Sequence, residues 1–297
     1  MCKIKGSALM ARGVGFLTCG EAVLKLLTST YSPFQILFFR SLIALPFLLL
    51  FWRKDNSFQS LFHVNIKDQL IRSGVLTLAI VLAILSLSLI PLFQYSSLFF
   101  SSPLFIVIFS ILLLSETASK TTWLSLILGF LGVIIVFNPQ RSILLDIGSL
   151  AALLSAVFYG LGVVLSSKLS RIHSPLLMTL WYMGTCLGVG LCGSLESIFS
   201  FSLSDVPFFS LAAFLNVGTN FTITKSFQYA QASYLAPIEY IAIPLSVFLG
   251  YMIWEQFPSE GMVIGSLLIV GSGLYIFKRE KRRVDEKEEV VVSGDAL

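Results

Sequence analysis

Residues 230–258 read AQASYLAPIEYIAIPLSVFLGYMIWEQFP, an apolar run that holds a carboxylate. From Tyr234 to Trp254 there are about twenty residues, enough at roughly 1.5 Å per residue to cross a hydrocarbon core of about 30 Å. Glu239 lies inside that length, between Pro237 and Pro244. An ionisable group in lipid costs at least a few kcal/mol, so it is kept there by facing protein, a partner charge or water. The two prolines point the same way, because irregular backbone at membrane depth is tolerated only where protein or a polar cavity satisfies the freed groups. The stretch predicts a span beside a transport pathway.

Working outward, 56% of the 297 residues are hydrophobic and 12% are charged, and the mean hydropathy is +0.88. So little polar surface cannot coat a soluble globule of this length. The expected class is an all-α polytopic membrane protein. Ten apolar stretches are legible: 9–27, 34–52, 71–90, 93–114, 123–137, 147–169, 176–195, 208–227, 234–254 and 262–277. The segment between the second and third mixes charge with Phe58, Leu61, Phe62 and Ile66 and reads as an interfacial amphipathic piece or an ordinary loop.

With a cytoplasmic N-terminus, sixteen of the 20 lysines and arginines fall on the inner side, Arg72 and the basic residues from Lys278 onward included. The outer loops hold Arg141, and Lys25, Arg40 and Lys225 lie within spans. This asymmetry predicts both termini inside a cell (inner) membrane. The net charge of +4 is therefore a topology signal and not a nucleic-acid footprint. The four cysteines show no ligand spacing and no disulfide framework. No Walker-type loop, metal-ligand cluster or nucleophile motif appears, so no cofactor, metal or enzymatic activity is expected.

The chain repeats itself. Ser32-Pro33 opens the second stretch and Ser174-Pro175 the seventh, 142 residues on; Glu116 and Glu255 close the fourth and ninth, 139 apart. Five spans per half is odd, so the second copy must cross in the opposite sense. The expected layout is two inverted five-helix repeats, residues 1–143 and 144–277, with a charged cytoplasmic tail at 278–297. Secondary transporters use this arrangement, with the substrate near the midplane. A scaffold or membrane enzyme is the plainer alternative.

Candidate site residues follow from buried polarity. Asn216, Asn220, Thr224 and Gln228 recur every four residues on one helix face and either line a cavity or hydrogen-bond neighbouring helices. Glu21 and Lys25 have pairing i, i+4 spacing; Lys25 alternatively snorkels outward. Arg40 meets a substrate carboxylate or Glu21, and Glu239 faces the substrate or Lys225. Trp181, Tyr182, Tyr234 and Tyr240 suit ring stacking or a cationic group, or simply packing. Glu116 and Glu255 read as helix-end residues, and the runs Gly184 to Gly188 and Gly129 to Gly132 as sites of close helix approach.

Several fragments together resemble the drug/metabolite transporter superfamily, of the ten-helix EamA type. They are Ser32-Pro33 with Phe38-Phe39-Arg40, Ser102-Pro103-Leu104-Phe105 with Glu116, Asn138-Pro139, Tyr159-Gly160, Ser174-Pro175, and Tyr229-Ala230 through Leu235-Ala236-Pro237 to Glu255. LAPIEY with WEQFP is similar to the branch that includes bacterial S-adenosylmethionine uptake carriers. The Glu21 and Lys25 pair departs from the general family pattern. The resemblance implies a small-molecule carrier in a lipid bilayer, for uptake or exchange of S-adenosylmethionine or an amino-acid-like compound, with proton or counter-substrate coupling left open. Export of amino acids, drugs or other metabolites is the alternative.

Overall fold

Why each helix begins where it does is visible in its first turn. Ser32 Oγ accepts from Gln35 N (3.3 Å) while Gln35 Oε1 accepts from Ser32 N (2.9 Å), a reciprocal cap ahead of Pro33. Ser174 Oγ accepts from Leu177 N (3.3 Å) ahead of Pro175, and Asp146 Oδ1 from Ser149 N (2.5 Å). These caps start α2 (Pro33–Asp55), α7 (Pro175–Ser194) and α6 (Ile147–Leu169). The computed structural model describes residues 2–55, 65–120, 123–124, 126–128, 130–131, 146–195, 201–255 and 264.

The remaining helices are α1 (Cys2–Leu27), α3 (Ile66–Leu89), α4 (Leu92–Phe99), α5 (Ser102–Leu114), α8 (Val206–Ser226), α9 (Ala232–Leu235) and α10 (Ala242–Trp254). Among the described residues every regular element is helical. Among the described residues, seven helical stretches are long and apolar enough to cross a membrane. Phe47, Leu50, Leu112, Phe214 and Met252 turn outward, each more than half exposed. An all-α polytopic membrane protein accounts for such an apolar exterior around an interior that holds Arg40, Arg72, Glu21 and Glu239.

Eight of the ten expected stretches fall on described helices. Of the fifth, only 123–124, 126–128 and 130–131 are described, all helical; the tenth, apart from residue 264, and the tail lie outside the described residues. Residues 56–64 of the expected interfacial segment lie outside them as well, while α2 runs to Asp55 and α3 starts at Ile66.

Two stretches are broken. The fourth divides into α4 and α5 because Pro103 has no amide to donate to Phe99 and its ring crowds that carbonyl. The ninth runs from α9 through a 3-10 segment, Ala236–Ile241, into α10. Irregular backbone is expected around Glu239; the chain instead tightens by one residue per hydrogen-bonded ring and stays helical. α5 and α10 are each 13 residues long, and each ends on a left-handed residue, Ser115 (φ 52°) and Glu255 (φ 53°).

Three helix pairs share the most extensive contacts: α3 with α6, α1 with α8, and α2 with α7. A Cβ on Gly190 of α7 would lie 2.6 Å from Phe38 N of α2, so only glycine lets these backbones approach. Close approach is expected at Gly184 and Gly188, yet nothing lies within 4 Å of a Cβ placed at either. Gly190 and Gly193, on the other face of α7, do that work against Phe38 and Phe34. Gly129 and Gly132 lie outside the described residues.

Candidate functional site

Seven helices enclose a cavity near the middle of the bundle: α1 contributes Phe16 and Glu21, α2 Arg40, α3 Leu76, α4 Tyr95 and Phe99. Ser155, Tyr159 and Ser166 come from α6, Tyr182 from α7, and Asn216, Asn220 and Thr224 from α8. Its water-accessible volume is about 70 Å³, room for a few waters.

Glu21 and Glu239 are each held by a phenol. Tyr95 Oη donates to Glu21 Oε1 (3.3 Å). Tyr159 Oη donates to Glu239 Oε1 (3.1 Å), and Ser102 Oγ to Glu239 Oε2 (3.4 Å). Phe99 joins the two pairs, its ring centroid 5.4 Å from Tyr95 and 5.0 Å from Tyr159. Glu239 itself does not line the cavity; it sits behind Tyr159.

The cations make different contacts from those expected. Arg40 is 1% exposed, its Nη2 lies 3.9 Å from Cys186 Sγ, and its Nε has no hydrogen-bond partner. Among the described residues no carboxylate pairs with it, so the Arg40 to Glu21 ion pair does not form although both groups face one cavity. The Glu21 to Lys25 pair does not form either. Lys25 Nζ donates to the carbonyls of Leu87 and Ile90 (2.9 Å to the latter), groups that the end of α3 leaves without amides. Lys25 therefore spends its ammonium on these carbonyls and not on Glu21. Lys225 lies over the Phe221 ring (5.4 Å) and not at Glu239.

The four-residue stripe on α8 divides. Asn216, Asn220 and Thr224 reach the cavity, with Asn220 Nδ2 donating to Asn216 O (3.1 Å). Gln228 lies beyond it and donates to Ser170 O (3.1 Å). Tyr182 is in the lining. Trp181 and Tyr240 are not: Trp181 packs among apolar side chains, and Tyr240 Oη donates to Leu126 O (3.5 Å). Glu116 accepts from Ser233 N (3.0 Å) and lies 3.8 Å from Arg171, tying the end of α5 to the start of α9.

Tyr95, Phe99, Tyr159 and Arg72 escape sequence reasoning. A tyrosine in an apolar helix looks like packing until the fold sets it against an acid. Arg72 is the larger miss, since it counts among inner-side basic residues yet is 0% exposed inside α3. Its Nε donates to Ser166 Oγ (2.7 Å) and its Nη1 to Met178 O (3.0 Å). The fully buried neighbours Gln69 and Ser73 were the available signal, because three polar residues at helical spacing mark an interior face.

A helical membrane bundle with a cavity between its helices, into which an acid and an arginine reach, is an arrangement that carriers use. The EamA-like transporter family matches residues 13–138 and 146–278, and the chain belongs to that family. It is 24% identical over 283 residues to a protein named S-adenosylmethionine uptake transporter from Rickettsia conorii, 92% of each chain being covered. It is 24% identical over 281 residues to a pseudopaline exporter from Pseudomonas aeruginosa, covering 94% of this chain and 98% of the other. A riboflavin transporter from Rhizobium johnstonii is 27% identical over 202 residues, 66% of this chain and 65% of that protein. A solved crystal structure shares the fold, with a TM-score of 0.70 at 18% identity over 95% of this chain and 98% of the other. Family membership makes the chain a transporter and not an enzyme.

Proposed function

We propose that this secondary transporter of a small polar metabolite carries a zwitterionic, amino-acid-like substrate, S-adenosylmethionine first among the candidates, in uptake or exchange across the cell (inner) membrane. One observation carries the reading: Glu21 and Arg40 face the same cavity and pair with neither each other nor another side-chain charge among the described residues. A ligand with a cationic and an anionic group completes both at once. The similarity to uptake carriers of a sulfonium amino acid supports that choice.

Alternating access comes from two inverted halves, residues 1–143 and 144–277, with both termini cytoplasmic. The dominant pairings support this division. Exchange of the halves carries the α1–α8 contact onto α6–α3 and leaves α2–α7 on itself, as a two-fold axis between inverted repeats requires. The two matched family segments fall on the same division. Export is the second reading, favoured by likeness to a protein named as an exporter.

Liposomes containing the purified chain test the proposal. Labelled S-adenosylmethionine accumulates in wild-type vesicles preloaded with unlabelled compound. Arg40→Ala abolishes the flux and Glu21→Gln lowers it at least tenfold while the protein stays monodisperse. Normal flux in both variants sinks the assignment, and flux confined to other amino acids moves the substrate within the same class.

A further inference from the structure

α7 carries two guanidinium contacts on one face. Met178 O receives Arg72 Nη1 and Cys186 Sγ meets Arg40 Nη2. Eight residues of helix separate these contacts, roughly 12 Å. Tyr182 stands midway, four residues from each and in the cavity lining. Arg72 adjoins the cavity through Ser166, which lines it and accepts from Arg72 Nε.

The surroundings of Arg72 are polar and unfinished. Its Nη2, both amide atoms of Gln69, and the hydroxyls of Ser73 and Ser167 are buried with no hydrogen-bond partner. Gln69, Arg72 and Ser73 share one buried face of α3, and Ser167 follows the serine that binds Arg72 on α6. A guanidinium does not deprotonate in a protein, and among the described residues no carboxylate pairs with this one. Buried polar atoms are rarely left unmatched, and a cluster around a fixed positive charge calls for a ligand that accepts hydrogen bonds.

We propose that Arg72, with Gln69, Ser73 and Ser167, forms a second oxyanion site, about 12 Å along α7 from Arg40, to which the substrate's anionic group passes on its way through the bundle. This rests on the transporter reading above. A free inorganic oxyanion satisfies the same chemistry, and the arms of the test separate the two.

The test is thermal unfolding of the full-length purified protein, with acetate or phosphate replacing chloride at fixed ionic strength. Acetate raises Tm in the wild type and still does so in Arg40→Gln, where Arg72 is the remaining site. The shift disappears in the Arg40→Gln, Arg72→Gln double variant. Loss of the shift in Arg40→Gln alone, or its survival in the double variant, overturns the proposal. A shift with phosphate and none with acetate assigns the site to a free anion and overturns the substrate's passage. Should Arg72→Gln fail to fold, Ser73→Ala with Ser167→Ala keeps the charge, and the acetate concentration for half the shift rises several-fold; no rise counts against the site. In vesicles, Arg72→Gln lowers kcat about tenfold per folded carrier with KM near wild type, which a purely structural role does not produce. Absence of any wild-type flux defeats the transport reading while the unfolding arm still reports on the anion site.

Discussion

Gly13 on α1 and Gly162 on α6 serve two seams that the proposed exchange of halves makes equivalent. A Cβ at Gly13 would lie 2.6 Å from Ile223 Cγ1 of α8, and one at Gly162 would lie 2.4 Å from Leu76 Cδ2 of α3. The seams are equally tight at these points, yet their polar groups are spent differently. Across α3–α6, Ser155 Oγ donates to Ala79 O (2.9 Å) and Arg72 Nε to Ser166 Oγ (2.7 Å). Ser86 Oγ adds a bond to Gly148 O (2.8 Å). Across α1–α8 the corresponding groups turn back on their own helix: Thr219 to Leu215 O, Thr222 to Gly218 O, Asn220 to Asn216 O. Ser226 Oγ likewise donates to Ile223 O (2.6 Å), with Met10 Sδ 3.7 Å away across the seam. One seam is stitched; the other is held by packing, and its acid and amides are left for the cavity. If the bundle opens to admit substrate, the packed seam has fewer interhelical hydrogen bonds to break.

Three sets of substitutions bear on that contrast, from the largest expected effect to the smallest. Glu21→Gln removes a charge from the packed seam, and a charge-assisted contact to ligand is worth about 1.5–3 kcal/mol. Flux is expected to fall about 10- to 100-fold with Tm nearly unchanged; a large loss of Tm with flux intact reverses the roles of the two seams. Gly13→Val and Gly162→Val both overfill a seam, at about 1–3 kcal/mol. Thermal unfolding in detergent should show the greater loss for Gly162→Val, because cross-bonded neighbours cannot shift; equal losses erase the distinction. Ser155→Ala and Ser86→Ala each remove an interhelical hydrogen bond worth about 0.6 kcal/mol. Thr219→Ala and Thr222→Ala should cost less than either, and a reversed order in the same unfolding measurement speaks against stitching.

The class and most of the spans are legible because lipid leaves few choices: long apolar runs, and helix starts marked by Ser-Pro at Ser32 and Ser174. The interior acids are also legible, since a carboxylate at 21 or 239 has few reasons to be in a span. What the sequence hides is partnership. Nothing local says that Tyr95 meets Glu21 or that Tyr159 screens Glu239 from the cavity, because these contacts join residues 74 and 80 positions apart. Lys25 misleads for the opposite reason: its local neighbour Glu21 looks like the natural partner, but α3 presents two bare carbonyls nearer its ammonium. Glycine spacing misleads on α7 as well, where the face that packs is set by α2 and not by the density of glycines.

The interruption at Pro103 has one more outcome. Because α4 is only 8 residues long, α5 begins roughly 12 Å into the span, and Ser102, its first residue, points its hydroxyl at Glu239. Pro103 has no amide and the Leu104 amide is spent on Ser101 O, so the group that this break delivers to the buried carboxylate is the Ser102 hydroxyl, carried in on the backbone of a helix that starts inside the protein.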